Sequence, residues 1–166
     1  MKSIITTTVL CLLLSTSAFA NVEFSKVGEG RMEYLFWDVY DATLYTPSGD
    51  YALGEHPVKF KLTYLRDFDA KDIVKATNEQ WEHIGKKNLV GKYDEVLLSI
   101  WPNIGKGDSL TLITDKEGKS TFLHNDSEVG VIDDVSFSSD FLAIWLGKNT
   151  SEPALRKKLL GNYNDY

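Results

Sequence analysis

The stretch DSLTLITDKEGKSTFLHNDSEVGVIDDVSFSSDFLAIWLG, residues 108–147, changes its hydrophobic period partway along. Residues 108–114 (DSLTLIT) alternate apolar and polar side chains, as a half-buried strand does. Asp115-Lys116-Glu117-Gly118 is a hairpin turn with a glycine free to take positive φ. Residues 119–124 return as the partner strand, Asn125-Asp126-Ser127 turns again, and 128–132 are extended. From Ser138 the alternation is gone. SSDFLAIWL, residues 138–146, reads as an apolar helix stopped by Gly147.

The same switch occurs upstream. Residues 22–45 read as extended structure broken by Gly28 and Gly30, and Pro47-Ser48-Gly49-Asp50 is a turn cluster. Residues 58–64 (VKFKLTY) alternate. Asp69 then stands where a helix cap belongs, Ile73, Thr77, Trp81 and Ile84 recur at helical spacing, and Gly85 closes the segment. Residues 93–101 (YDEVLLSIW) form a second helix ended by Pro102. A last short helix is capped by Thr150 or Ser151, with Pro153 in its first turn and Gly161 past its end. Strand runs followed by helix runs give an α+β class: a large antiparallel sheet with helices layered on one face.

Residues 1–20 have the layout of a secretory signal. Lys2 is the positive start, residues 4–14 are apolar, and Ala18-Phe19-Ala20 is a small-x-small cleavage site. The run is shorter than the roughly 20 residues of a membrane span. Cleavage after Ala20 leaves one domain, residues 21–166, with a periplasmic location as the expectation. Cys11, the only cysteine, leaves with the signal, so disulfides, thiol catalysis and cysteine-bound metals are excluded. Loss of Lys2 takes the formal charge from −6 to −7, which disfavours nucleic acid and anionic surfaces. No second long apolar segment follows, so the mature domain is not expected to embed in a membrane.

Chemical motifs are sparse. His56, His83 and His124 stand far apart, without metal-ligand spacing. Gly28-Glu29-Gly30 and Gly105-Lys106-Gly107 lack the strand–helix context of a dinucleotide loop. The paired acids Asp133 and Asp134 read as helix caps. Trp37, Trp81, Trp101 and Trp145 read as core. No metal or cofactor is implied. GEGRMEYLFWDVYDATLY, residues 28–45, is the chemically suggestive segment. It sets Arg31, a rigid five-donor fork, beside Tyr34, Phe36 and other aromatics. Arg31 either seats the carboxylate of an apolar ligand or points into water.

Together, GEGRMEYLFWDVYDATLY, KLTYLRDF with IVKATNEQWEHIG, and the block from Asp108 to Gly161 with its WLG and LLG endings resemble the bacterial branch of the chalcone isomerase-like proteins. The resemblance implies an open-faced β-sandwich with a ligand cleft between sheet and helices. It also implies an alignment with the plant isomerase's arginine, threonine, tyrosine and asparagine. Arg31 matches the arginine, but Tyr40, Asp69 and Ala76 fall at or near the other three positions. Isomerase activity is therefore not expected. The fatty-acid-binding branch, which resembles this chain in keeping the arginine and placing a tyrosine at the threonine position, implies that Arg31 and Tyr40 hold an acyl carboxylate.

Residues nine apart on one unbroken strand face opposite sides, so that pairing requires a bend, bulge or tight hairpin between Leu35 and Asp38. The expected ligand site is Arg31 and Tyr40, with Tyr34, Phe36, Phe60 and Tyr64 as walls. The leading expectation is a periplasmic non-catalytic module binding a fatty acid or similar apolar carboxylate. The alternatives are an isomerase or lyase acting on a small ketone or enone with Arg31 as electrophile, and a structural or partner-binding domain with a filled cleft. The oligomeric state is left open.

Overall fold

Every strand lies beside its nearest neighbours in sequence. The computed structural model describes residues 22–161, and the expected signal segment lies outside them. Strands β1 (Ser25–Tyr34), β2 (Trp37–Thr46), β3 (Lys59–Tyr64), β4 (Ser109–Thr114), β5 (Ser120–His124) and β6 (Ser127–Ile132) form one antiparallel sheet in the order β1-β2-β3-β4-β5-β6. Helices α1 (Ala70–His83) and α2 (Asp94–Ile100) are inserted between β3 and β4, with a 3-10 turn, Lys87–Leu89, between them. Helices α3 (Val135–Leu146) and α4 (Pro153–Leu159) follow β6. The class is α+β, with the open antiparallel sheet read from the sequence.

Strand alternation selects the face that meets the helices. Ala42, Leu44, Phe60, Leu62, Tyr64, Leu110, Leu112 and Phe122 are buried on it. From α3, Phe137, Phe141, Leu142, Ile144, Trp145 and Leu146 are buried as well. The core is strongly aromatic. Phe122 meets Phe137, Phe141 and Trp101 edge-on, with ring centroids 6.0, 5.8 and 5.4 Å away. Such pairs add to the stabilisation from area burial alone.

Four local expectations change. Gly28 and Gly30 do not break the first strand; β1 runs through both. They are small because α4 crosses them. A Cβ on Gly28 would collide with the backbone oxygen of Lys158, and one on Gly30 would lie 2.7 Å from Leu155 Cδ1. Asp69 occupies the cap position of α1, but its side chain makes no cap bond; the amide of Ala70 instead donates to Asn103 Oδ1 at 2.9 Å. Helix α3 begins at Val135, three residues earlier than the apolar run suggests. Its cap Asp134 accepts from the amide and hydroxyl of Ser136 at 3.0 and 2.6 Å. The cap residue of α4 is Glu152, while the Thr150 hydroxyl donates to the carbonyl of Ile144 at 2.7 Å.

Candidate functional site

The turn between β1 and β2 is as tight as the sequence required. Leu35 and Phe36 form a two-residue loop, with Tyr34 paired to Trp37 and Glu33 to Asp38. A register shift follows, after which Met32 lies opposite Tyr40 and Arg31 opposite Asp41. Directly opposed residues share a face of the sheet. Tyr40 therefore faces the helices, and Arg31 faces the open side.

This separation rules out a carboxylate seat shared by Arg31 and Tyr40. The Arg31 guanidinium is committed to acids of its own hairpin. Its Nε donates to Asp41 Oδ1 at 2.7 Å, Nη2 to Asp41 Oδ2 at 3.1 Å, and Nη1 to Asp38 Oδ2 at 2.7 Å. These bonds, that to Asp41 foremost, hold the arginine even more firmly in its charged state. Both acids are about half exposed, and the cluster is a surface feature.

Between sheet and helices lies a cleft of about 510 Å³. Met32, Tyr40, Leu62, Tyr64 and Leu110 of the sheet form its floor. Ile73, Ala76 and Thr77 of α1, with Phe141, Ile144 and Trp145 of α3, form its roof. Tyr34, Trp37, Arg66, Asp67, Asp72 and Glu152 border its mouth. The volume falls within the roughly 300–1,000 Å³ of small-molecule sites. Of the residues the sequence singled out, Tyr34, Tyr40 and Tyr64 lie here. Phe60 does not; it is core, 4.9 Å from the Trp145 ring, with 1 % of its surface exposed. Phe36 projects into solvent at the hairpin tip.

Polar groups inside the cleft are few. The Tyr40 hydroxyl accepts from Trp145 Nε1 at 2.8 Å, and its own proton has no acceptor among the described residues. Burial pushes the Tyr40 pKa up to about 12; the Trp145 bond opposes that rise and Glu152 adds to it. Tyr64 meets Tyr40 edge-on, with ring centroids 5.7 Å apart. Its hydroxyl has no hydrogen-bond partner among the described residues, and burial, then the nearby Tyr40, drives its pKa up as well. Trp101 Nε1 is also buried without a partner. Both phenols are thus neutral near pH 7 and able to donate.

The cation at the mouth is Arg66, which the sequence reading passed over. It stacks on Trp37, its guanidinium carbon 4.1 Å from the ring centroid. It makes no ion pair among the described residues. The signal was present in KLTYLRDF: continuing the alternation Phe60, Leu62, Tyr64 by two residues reaches Arg66 on the cleft face. The bond from the Leu65 amide to the Val39 carbonyl, 2.9 Å, carries the β2–β3 ladder that far.

The histidines stay outside the cleft. His56 Nδ1 lies 2.9 Å from Thr114 Oγ1, and His124 lies 3.2 Å from an Asp108 carboxylate oxygen. Among the described residues, no group of three or more His, Cys, Asp or Glu is placed to hold a metal.

A search of curated protein sequences returned no significant match. Among solved structures, the chain is similar to a fatty-acid binding protein of Arabidopsis thaliana. The TM-score is 0.64 and the identity 15%, over 84% of this chain and 87% of that one. At that identity the likeness establishes the fold. The family model described as chalcone isomerase-like matches residues 15–161, which is nearly the whole length. The chain belongs to the chalcone isomerase-like family.

Proposed function

We propose that this protein is a periplasmic, non-catalytic carrier or sensor module that binds a fatty acid or similar apolar carboxylate in the sheet–helix cleft. The observation that carries the reading is an open, apolar-walled cavity of about 510 Å³ holding two buried, donor-competent phenols. The acyl chain lies between Leu62 and Leu110 below and Phe141 and Trp145 above. The carboxylate meets Arg66 and the tyrosine hydroxyls. A guanidinium–carboxylate pair is a strong, directional contact, and Arg66 is the one cation among the described residues lining the mouth, beside Asp67, Asp72 and Glu152. The similar Arabidopsis protein is a fatty-acid binding protein, which agrees with this reading. The signal-like segment 1–20 supports the location.

The enone-isomerase alternative loses its electrophile, because Arg31 lies outside the cleft. The filled-cleft alternative is disfavoured by the open volume. Native mass spectrometry of protein purified from its host, followed by lipid extraction, tests the proposal. A co-purifying acyl carboxylate that is lost in Arg66→Ala supports it. Ligand-free protein with no thermal shift on addition of C12–C18 fatty acids sinks it.

A further inference from the structure

Among the described residues, the β1–β2 hairpin tip is the most exposed apolar feature of the molecule. Four consecutive large side chains stand in solvent: Tyr34 at 63 %, Leu35 at 76 %, Phe36 at 97 % and Trp37 at 58 %. The backbone makes this exposure harder to dismiss. Leu35 has φ 56°, in the left-handed region where a two-residue hairpin selects glycine or asparagine. A leucine there strains the backbone and places a second bulky apolar group beside Phe36. Non-glycine residues held in this region cluster at functional sites.

The register arranges the tip in layers. Leu35 and Phe36 are the apolar apex. The next cross-strand pair is Tyr34 with Trp37, the two residue types that concentrate at membrane–water interfaces. Behind it comes a charged collar of Glu33, Asp38 and Arg31, joined by Arg66 stacked on Trp37. Ionic collar, amphipathic aromatics and apolar apex follow the order met on entering a bilayer from its headgroups. Two strand residues beyond the collar reach about 7 Å, and interfacial segments bury roughly 5–10 Å.

We propose that the hairpin tip is a wedge that docks the protein on a lipid bilayer with zwitterionic headgroups. The collar favours neutral over anionic lipid. Arg31 is consumed by Asp38 and Asp41, and Glu33 with the acids of the cleft mouth outnumbers Arg66. Tyr34, Trp37 and Arg66 belong both to the tip and to the cleft mouth. The docked protein therefore presents its cleft to the membrane surface, where a lipid tail passes between them without crossing water. This last consequence rests on the lipid-binding reading above; the docking itself does not.

Trp37 makes the test direct, because the other three tryptophans are buried. The purified protein is mixed with phosphatidylcholine–phosphatidylethanolamine vesicles carrying brominated acyl chains. The expected result is co-flotation with quenched, blue-shifted emission. Phe36→Asp should weaken partitioning roughly tenfold or more. Leu35→Gly should weaken it too while raising the melting temperature, so lost binding is not lost folding. Absence of flotation and quenching overturns the proposal, as does undiminished flotation of Phe36→Asp. Binding confined to anionic vesicles and abolished by salt overturns it also. So does vesicle-independent self-association that Phe36→Asp removes, which assigns the tip to a second copy. Acyl binding measured without vesicles is a separate arm. Phe36→Asp should retain it, and a wild type that docks but binds no acyl chain refutes only the cleft reading.

Discussion

Trp145 Nε1 donates to the Tyr40 hydroxyl at 2.8 Å, and this bond joins β2 of the sheet to α3 across the cleft. It uses the only polar atom of a buried indole and leaves the tyrosine's proton without an acceptor among the described residues. Tyr40→Phe should cost about 1–3 kcal/mol, because it orphans the buried indole N–H. Chemical denaturation measures this loss, and fatty-acid titration should show weaker binding by the same variant.

Arg31→Ala and Arg66→Ala should separate cleanly. Arg31 lies on the open face, tied to Asp38 and Asp41, so its loss should leave acyl affinity within twofold. Arg66 borders the cleft, and its loss removes a charge-assisted contact of about 1.5–3 kcal/mol, a drop in affinity of roughly ten- to a hundredfold. Displacement of a fluorescent fatty acid reads both.

Alkaline pH should destabilise the fold between about pH 10 and 12. An unburied tyrosine titrates near 10, whereas Tyr40 is pushed up to about 12 and Tyr64 is raised as well. A raised folded-state pKa gives stability that is complete below the unfolded value and is lost as pH rises through the folded one. Absorbance near 295 nm should show the phenolate signal of these two rings appearing together with unfolding.

Asp134→Ala should destabilise by about 1–2 kcal/mol through loss of the α3 cap. Asp134 also accepts from the Tyr93 hydroxyl at 2.7 Å and pairs with Lys92 at 3.2 Å. The bonds from Ser136 foremost, then that from Tyr93, hold its carboxyl well below the usual carboxylate range. Its contribution is therefore present above about pH 4 and declines as pH falls below that. Thermal melts at pH 7 and pH 3 should show the gap between wild type and variant narrowing in acid.

Gly28→Ala should cost more than Gly30→Ala. The added methyl meets α4 backbone at Gly28 but the end of a flexible leucine at Gly30. Overpacking of about 1–3 kcal/mol is the scale, and denaturant midpoints decide the order.

Much of the fold was legible because each strand carries its own alternation and each turn its own chemistry. KLTY, SLTLIT and STFLH all declare a buried face, and Gly85, Gly118 and Gly161 sit at positive φ where chain reversals occur. The first hairpin follows only from the requirement of a bend, bulge or tight hairpin between Leu35 and Asp38, because Leu35-Phe36 itself carries no turn signal. The placement of Arg31 on the open face is not legible locally. Its face depends on one register shift between Met32 and Glu33, which no local pattern announces. Arg66 is less legible because it lies two residues past Tyr64, where β3 ends.

The sequential strand order has a kinetic side. β1–β2 and β5–β6 close through two-residue loops and β4–β5 through a short turn, so these pairings cost little chain entropy. The β3–β4 pairing alone must wait for the whole excursion that carries α1 and α2. Loop closure is thus concentrated at one seam, and joining the two halves of the sheet there also brings α1 over the floor. The cavity needs more than that seam, because the α3 part of its roof comes from the chain that follows β6.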